Sequence, residues 1–227
     1  MRSAVAGASR ADWSVLKLAL PLSFAGLAGS LAVVAFAASP GDDPEPVGEK
    51  PGQTVATELA SDTKSVRLSL PPEALERAQS RDLLPDGVKS LLRVPRSLKH
   101  GEYVWNDDGV PDGEMNIHVD LRRQMVSIFR DGHEIGTAVI VYGGDGHESP
   151  TGTFPIRSKH RDYHSRTYDA PMPYSMFITA DGVALHGSPM SEFRATHGCI
   201  GLPLEFARRI FDAMDKGDTV RIVRSTT

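Results

Sequence analysis

Cys199 is the only cysteine in the chain, and it stands in the run Thr196-His197-Gly198-Cys199-Ile200-Gly201. Just upstream lies Ala184-Leu185-His186-Gly187, so two histidines, the cysteine and three glycines fall within eighteen residues. A thiolate is the reactive form of cysteine, and a nearby imidazole, a cationic group or a helix N-terminus lowers its pKa from about 8.5. Acyl transfer by cysteine also requires a base held by a third group, and main-chain N–H donors where the oxyanion develops. His186 and His197 are both candidates for the base, and residue type alone leaves that choice open. Gly198 lets the main chain turn tightly and present N–H groups. The competing reading is a small buried hydrophobe, as most free cysteines are. The flanking His-Gly pair, the helix start that follows and the oxidation hazard of an exported thiol all weigh against it.

The elements that must position these residues are short. Met115–Val119 and Met125–Phe129 read as strands joined by a tight turn at 121–123. Asp131-Gly132 supplies a second hairpin turn into 133–142. Residues 153–157, 176–179 and 183–186 are further strand candidates, each bounded by Gly, Pro or Asp. One strong helix is expected after the cysteine: Pro203 suits a first helical position, and Leu204, Ala207, Ile210, Phe211 and Met214 make one apolar face that ends near Gly217. Thr219–Val223 returns as a last strand. The pattern predicts a mostly β sandwich or barrel-like domain with one main helix, and no repeat suggests a solenoid.

Thr196-His197-Gly198-Cys199-Ile200 resembles the [S/T]-H-G-C signature of the L,D-transpeptidase catalytic (YkuD) family. The resemblance extends over about 113–223. Ser149-Pro150-Thr151-Gly152-Thr153-Phe154 is similar to the family's T-P-T-G-x-F turn, Met172-Pro173-Tyr174 to its M-P-Y segment, and Ala184-Leu185-His186-Gly187 to its A-x-H-G strand end. The resemblance implies Cys199 as nucleophile, His186 as general base, and the Gly187 carbonyl as the group orienting that imidazole. It implies that His197, Gly198 and Cys199 frame the oxyanion hole, and that Tyr174, Met172, Thr196 and Arg194 contribute to substrate binding. The implied substrate is a peptidoglycan stem peptide, cleaved between diaminopimelate and D-alanine, with no cofactor and no metal. One position departs: two residues after the cysteine the family often carries Arg or Asn, and here it is Gly201. Recognition is then expected to pass to Arg194, Arg157 or Tyr174.

The remainder of the chain reads as delivery. From Leu18 to Ala38 runs an uncharged, mostly apolar stretch, preceded by Arg2, Arg10 and Lys17. Its length suits a membrane-spanning anchor of roughly 20 residues with the basic flank inside. A cleaved signal peptide, with Ala35-Phe36-Ala37 as its site, is the alternative. Either sends the domain to the periplasm or cell envelope, with 18–38 inserted in the inner membrane at least transiently. Residues 39–53 are a Pro-, Gly- and acid-rich linker. Residues 54–112 are expected to wrap the surface, with a short helix over 72–81, and 113–224 form the catalytic domain. The 227 residues carry 25 basic and 29 acidic side chains, a net charge of -4, which gives no electrostatic footprint for nucleic acid. A monomer is expected.

Two rival classes remain open at this level: a non-catalytic cell-wall binding module, and a metal-dependent peptidase using His147, His160, His164, His186 and His197 with Cys199 as a ligand. Their spacing matches no ligand motif, and solvated loop histidines are the simpler reading. His164 and Tyr168, in the loop before the M-P-Y segment, are placed beside the substrate groove. Within the enzyme class, an L,D-carboxypeptidase or cross-link-cleaving hydrolase is the alternative to a transpeptidase.

Overall fold

Along 115–120 apolar Met115, Ile117 and Val119 alternate with polar Asn116, His118 and Asp120, and that alternation sets the two faces of the sheet around which the domain packs. In the computed structural model, residues 57–58, 67–191 and 196–226 are described, all within the compact unit Gly48–Thr227. The strands are β1 (Thr57–Glu58), β2 (Glu102–Trp105), β3 (Met115–Asp120), β4 (Met125–Arg130), β5 (His133–Val139), β6 (Gly152–Pro155), β7 (Ser158–Ser165), β8 (Ala170–Phe177), β9 (Ala184–Gly187), β10 (Ile200–Leu202) and β11 (Thr219–Val223). The helices are α1 (Pro72–Gln79) and α2 (Leu204–Ala213). One sheet runs β1-β2-β5-β4-β3-β11-β6 and the other β10-β9-β8-β7.

Successive strand residues face opposite sides. Ile117 and Val119 of β3, Val126 and Ile128 of β4, and Val220 and Ile222 of β11 therefore enter one core, which Leu185, Ile200, Leu202 and Met176 join from the second sheet. From α2, Phe206, Ala207, Ile210 and Phe211 close it. Burying one such large side chain contributes roughly 1.5–3 kcal/mol relative to leaving it exposed. The two sheets meet where β5 runs on past its last ladder position: Val141 and Gly201 exchange hydrogen bonds of 3.0 and 2.7 Å.

The opposite face of the large sheet is polar. Thr137, Ser127, His118, Arg221 and Thr153 lie side by side across β5, β4, β3, β11 and β6. The segment that precedes β2 covers this row. Asp82 pairs with Arg221 at 2.6 Å and its carbonyl accepts from His118 Nε2–H at 3.1 Å. Buried Glu134 accepts from Leu92 N–H at 2.8 Å and from the Ser127 hydroxyl at 2.6 Å, while Arg67 donates to the Glu134 carbonyl. Burial pushes the Glu134 carboxyl up, against the pull of those two donors.

Some sequence expectations needed correction. Residues 158–165 are not a loop but the strand β7, paired along its length with β8, so His160 and His164 lie in a ladder. The M-P-Y segment belongs to that strand pair, and the strand expected at 176–179 starts instead at Ala170. Ile200–Leu202 is a strand rather than a lead-in to the helix. The large sheet also begins before 113, because β2 pairs with β5 and buries Tyr103 against Phe206. No helix among the described residues is long and apolar enough to cross a membrane, and the run 18–38 lies outside the described residues.

Glu134 holds the covering segment to the sheet, so Glu134→Ala leaves the buried Leu92 N–H without its acceptor and costs the half-buried Ser127 hydroxyl its shorter one. Urea unfolding should show it destabilised by roughly 2 kcal/mol, the usual cost of such orphaned groups. An unchanged midpoint would mean the 67–92 segment does not depend on this carboxylate.

Candidate active site

The parallel pairing of β9 with β10 sets Ile200 beside Leu185, Gly201 beside His186 and Leu202 beside Gly187. Two-residue periodicity then places the side chain of Cys199 on the same face as those of Gly201 and His186, offset along the strands. His186 is buried, and its Nδ1–H donates to the Gly187 carbonyl at 2.9 Å. A carbonyl can only accept, so in the neutral ring Nε2 carries the lone pair. That is the tautomer a general base needs. The half-buried Cys199 thiol points at the Gly182 carbonyl at 3.8 Å.

Burial acts on both groups in the direction of neutrality. It holds the His186 imidazole below its ordinary value, outweighing the hydrogen bond to Gly187. It pushes the Cys199 thiol up, against a hydrogen bond from the Ala184 backbone. The sequence suggested that the following helix start would lower the thiol pKa; the structure puts β10 between them. A helix terminus acts over about one turn, so α2, beginning at Leu204, is out of place for it. Both shifts favour the uncharged forms, a thiol and a neutral imidazole.

Gly198 has φ +103°, a conformation that L side chains rarely adopt, and this turns the loop in front of Cys199. Among the described residues, no group accepts a hydrogen bond from the Gly198 or Cys199 main-chain N–H. Those donors are available to a carbonyl oxygen. The Thr196 hydroxyl is taken up by the Cys199 carbonyl, and the Thr196 N–H donates to Tyr142 O at 2.9 Å, so Thr196 shapes the loop.

Residues 114–222 match the model of the L,D-transpeptidase catalytic domain, YkuD. They belong to that family. L,D-transpeptidase 1 of Mycobacterium tuberculosis is 28% identical over 134 residues, covering 51% of this chain and 53% of the relative. The chain thus spans about half the length of the curated relatives it matches. Among solved structures, an L,D-transpeptidase from Stackebrandtia nassauensis is 24% identical, covers 53% of this chain and 61% of its own, and has a TM-score of 0.47. One from Enterococcus faecium is 26% identical, covers 50% of each chain, and has a TM-score of 0.44.

Within this YkuD domain the remaining expected site residues take varied positions. Met172 is buried, and its carbonyl accepts from the Ser175 hydroxyl at 2.6 Å. Tyr174, at φ +56°, turns its ring to Phe211 at 5.8 Å, with the Arg161 guanidinium 5.5 Å away. It lies between the small sheet and α2. Arg194 lies outside the described residues. His160 packs on Tyr163 and Phe177, and His164 faces Asp169 at 3.6 Å. No three His, Cys, Asp or Glu side chains among the described residues converge on a metal position. His147 is an exposed loop residue as expected, and its ring also touches that of His197, at 4.7 Å between centroids. Its loop carries no hydrophobic period, and no sequence signal placed it there.

Gly201 has a steric reason. A Cβ there would lie 2.5 Å from Val141 Cγ2 and 2.9 Å from Ser188 Cβ, inside the seam where the sheets join. An Arg or Asn cannot be added without opening that seam, so Gly201→Asn should lower stability by about 1–3 kcal/mol, as overpacking does. Thermal unfolding checks this, and an unshifted transition would show that the seam yields freely.

The same neutrality sets the pH behaviour. The folded pKa of His186 is below the unfolded value of about 6.5, so its contribution to stability is present above that value and lost as pH falls through the folded one. The thiol is raised, so the rate of Cys199 alkylation by iodoacetamide should reach its midpoint above the ordinary cysteine range. A midpoint below that range would indicate a preformed thiolate–imidazolium pair.

Proposed function

We propose that this chain is an exported L,D-transpeptidase that acts on peptidoglycan tetrapeptide stems through a Cys199 thioester. The observation that carries this reading is the His186 imidazole, tied at Nδ1 to the Gly187 carbonyl and set on the Cys199 face of the β9–β10 pair, within a YkuD domain. The residues 18–38 carry the domain across the inner membrane and anchor it there, and the domain works as a monomer in the envelope.

In the first half-reaction His186 Nε2 takes the Cys199 proton as sulfur attacks the carbonyl between the L-centre of meso-diaminopimelate and D-alanine. The oxyanion is met by the N–H groups of Gly198 and Cys199. As the C–N bond breaks, His186 returns the proton to the departing D-alanine amine, leaving a thioester. In the second, the side-chain amine of another stem's diaminopimelate attacks that thioester. His186 takes a proton from the amine and passes it to the sulfur, and a cross-link replaces the thioester. Since neither Cys199 nor His186 rests as an ion, charge separates only during attack. Burial of His186 also keeps the base neutral below the usual imidazole range, so the acid limb of kcat/KM should lie below about pH 6.5.

The test is to incubate the full-length protein, and Cys199→Ala beside it, with purified tetrapeptide muropeptides and to follow both protein and products by mass spectrometry. Loss of D-alanine with a new cross-linked dimer, absent from the variant, is the expected result. D-alanine loss without a dimer would assign an L,D-carboxypeptidase. Turnover by the variant would remove Cys199 from its role, and a folded wild-type protein with neither adduct nor turnover would leave a binding module.

A further inference from the structure

The loop between β5 and β6 holds none of the residues given a role above, yet it is packed against the nucleophile loop. Gly144 N–H donates to Thr196 O at 3.3 Å, which adds to the bond from Thr196 N–H to Tyr142 O. The loop is also closed on itself. Gly143 N–H donates to the Ser149 hydroxyl at 3.0 Å and His147 N–H to Gly144 O at 2.9 Å. A Cβ on Gly143 would lie 1.9 Å from His147 O, so the two backbones approach as closely as only glycine permits.

That closure aims His147. Its ring meets His197 at 4.7 Å between centroids and 82° between planes, an edge-to-face contact. Tyr168, from the turn between β7 and β8, stacks on His197 at 4.4 Å and 17°. The His147 and Glu148 carbonyl oxygens come within 3.8 and 3.7 Å of the Cβ position of Gly198. His197 is therefore gripped by rings from two other segments, and the peptide groups that follow it carry the free N–H donors of Gly198 and Cys199.

We propose that His147 is a positioning residue for acyl transfer: held by its closed loop, it fixes His197 and through it the direction of the Gly198 and Cys199 N–H groups toward the acyl oxygen. The proposal rests on the Cys199 nucleophile reading. An oxyanion hole acts by preorganised direction, and a donor displaced by a fraction of an ångström loses much of its effect.

Two reactions of the same thiol separate positioning from the rest. p-Nitrophenyl acetate transfers its acetyl group to Sγ through an oxyanion: the thiol proton goes to His186, the S–C bond forms and p-nitrophenolate leaves. Iodoacetamide alkylates Sγ by displacing iodide at a saturated carbon, with no oxyanion. In the full-length protein, His147→Ala should be acetylated roughly tenfold more slowly while its alkylation stays within about twofold of wild type, because only the first needs the aimed donors. His147→Phe, which keeps an aromatic edge against His197, should recover most of the loss. Acetylation of His147→Ala at the wild-type rate, a parallel fall of both reactions, or a Phe variant as slow as the Ala variant would each overturn the proposal. A Cys199→Ala protein releasing p-nitrophenolate at the full rate would sink the nucleophile reading and this proposal together, whereas a failure of positioning alone leaves that control silent.

Discussion

The site depends on one short parallel ladder, in which Gly201 is flanked on both sides. On one side is β9 with His186, and on the other is Val141, the continuation of β5. Parallel neighbours cannot be joined by a tight hairpin; they need a crossover of about a dozen residues or more. Such a crossover must link β9 to β10, and Cys199 immediately precedes β10. Cys199 is thus placed by the strand it introduces, and the register that fixes Gly201 also fixes the sulfur on the face of His186. The same seam denies Gly201 a side chain, since Val141 and Ser188 stand too close.

Around that ladder, legibility from the sequence followed periodicity. β3 has clean alternation because one face is core and the other is the polar row, and α2 shows its stripe because Phe206, Ala207, Ile210 and Phe211 face the sheets. β7 escaped because it is an edge strand whose exposed side chains are polar on both faces, so no apolar alternation marks it. β10 has three residues, one of them glycine, and is defined by its partners rather than by its own composition. β2 was passed over for a similar reason: its four residues bury Tyr103 and Val104 only because β5 and α2 lie against them.

The chemistry of the site was more legible than its support. Cysteine, histidine and glycine at these spacings announce themselves by type, whereas the choice of His186 over His197 came from the family resemblance. The structure adds an independent physical ground: the Nδ1–H of His186 is committed to a carbonyl, while the His197 ring is exposed and packed between rings. The roles of Gly201 and His147 were out of reach, because each is defined by atoms distant in sequence, Val141 and Ser188 for the first and His197 for the second.

Burial of both reacting groups has a consequence for selectivity. A preformed thiolate would react with any electrophile or oxidant it met, since susceptibility follows thiolate character. Here the same desolvation raises the thiol and lowers the imidazole, so the thiolate is scarce until an acyl carbonyl arrives to take up the charge. In the proposed mechanism stabilisation then comes from the Gly198 and Cys199 N–H groups, which act more strongly in a desolvated site than in water. On that proposal the thiol is kept for carbonyl chemistry, and the placement of the 197–199 loop matters more to the rate than the resting nucleophilicity of the sulfur.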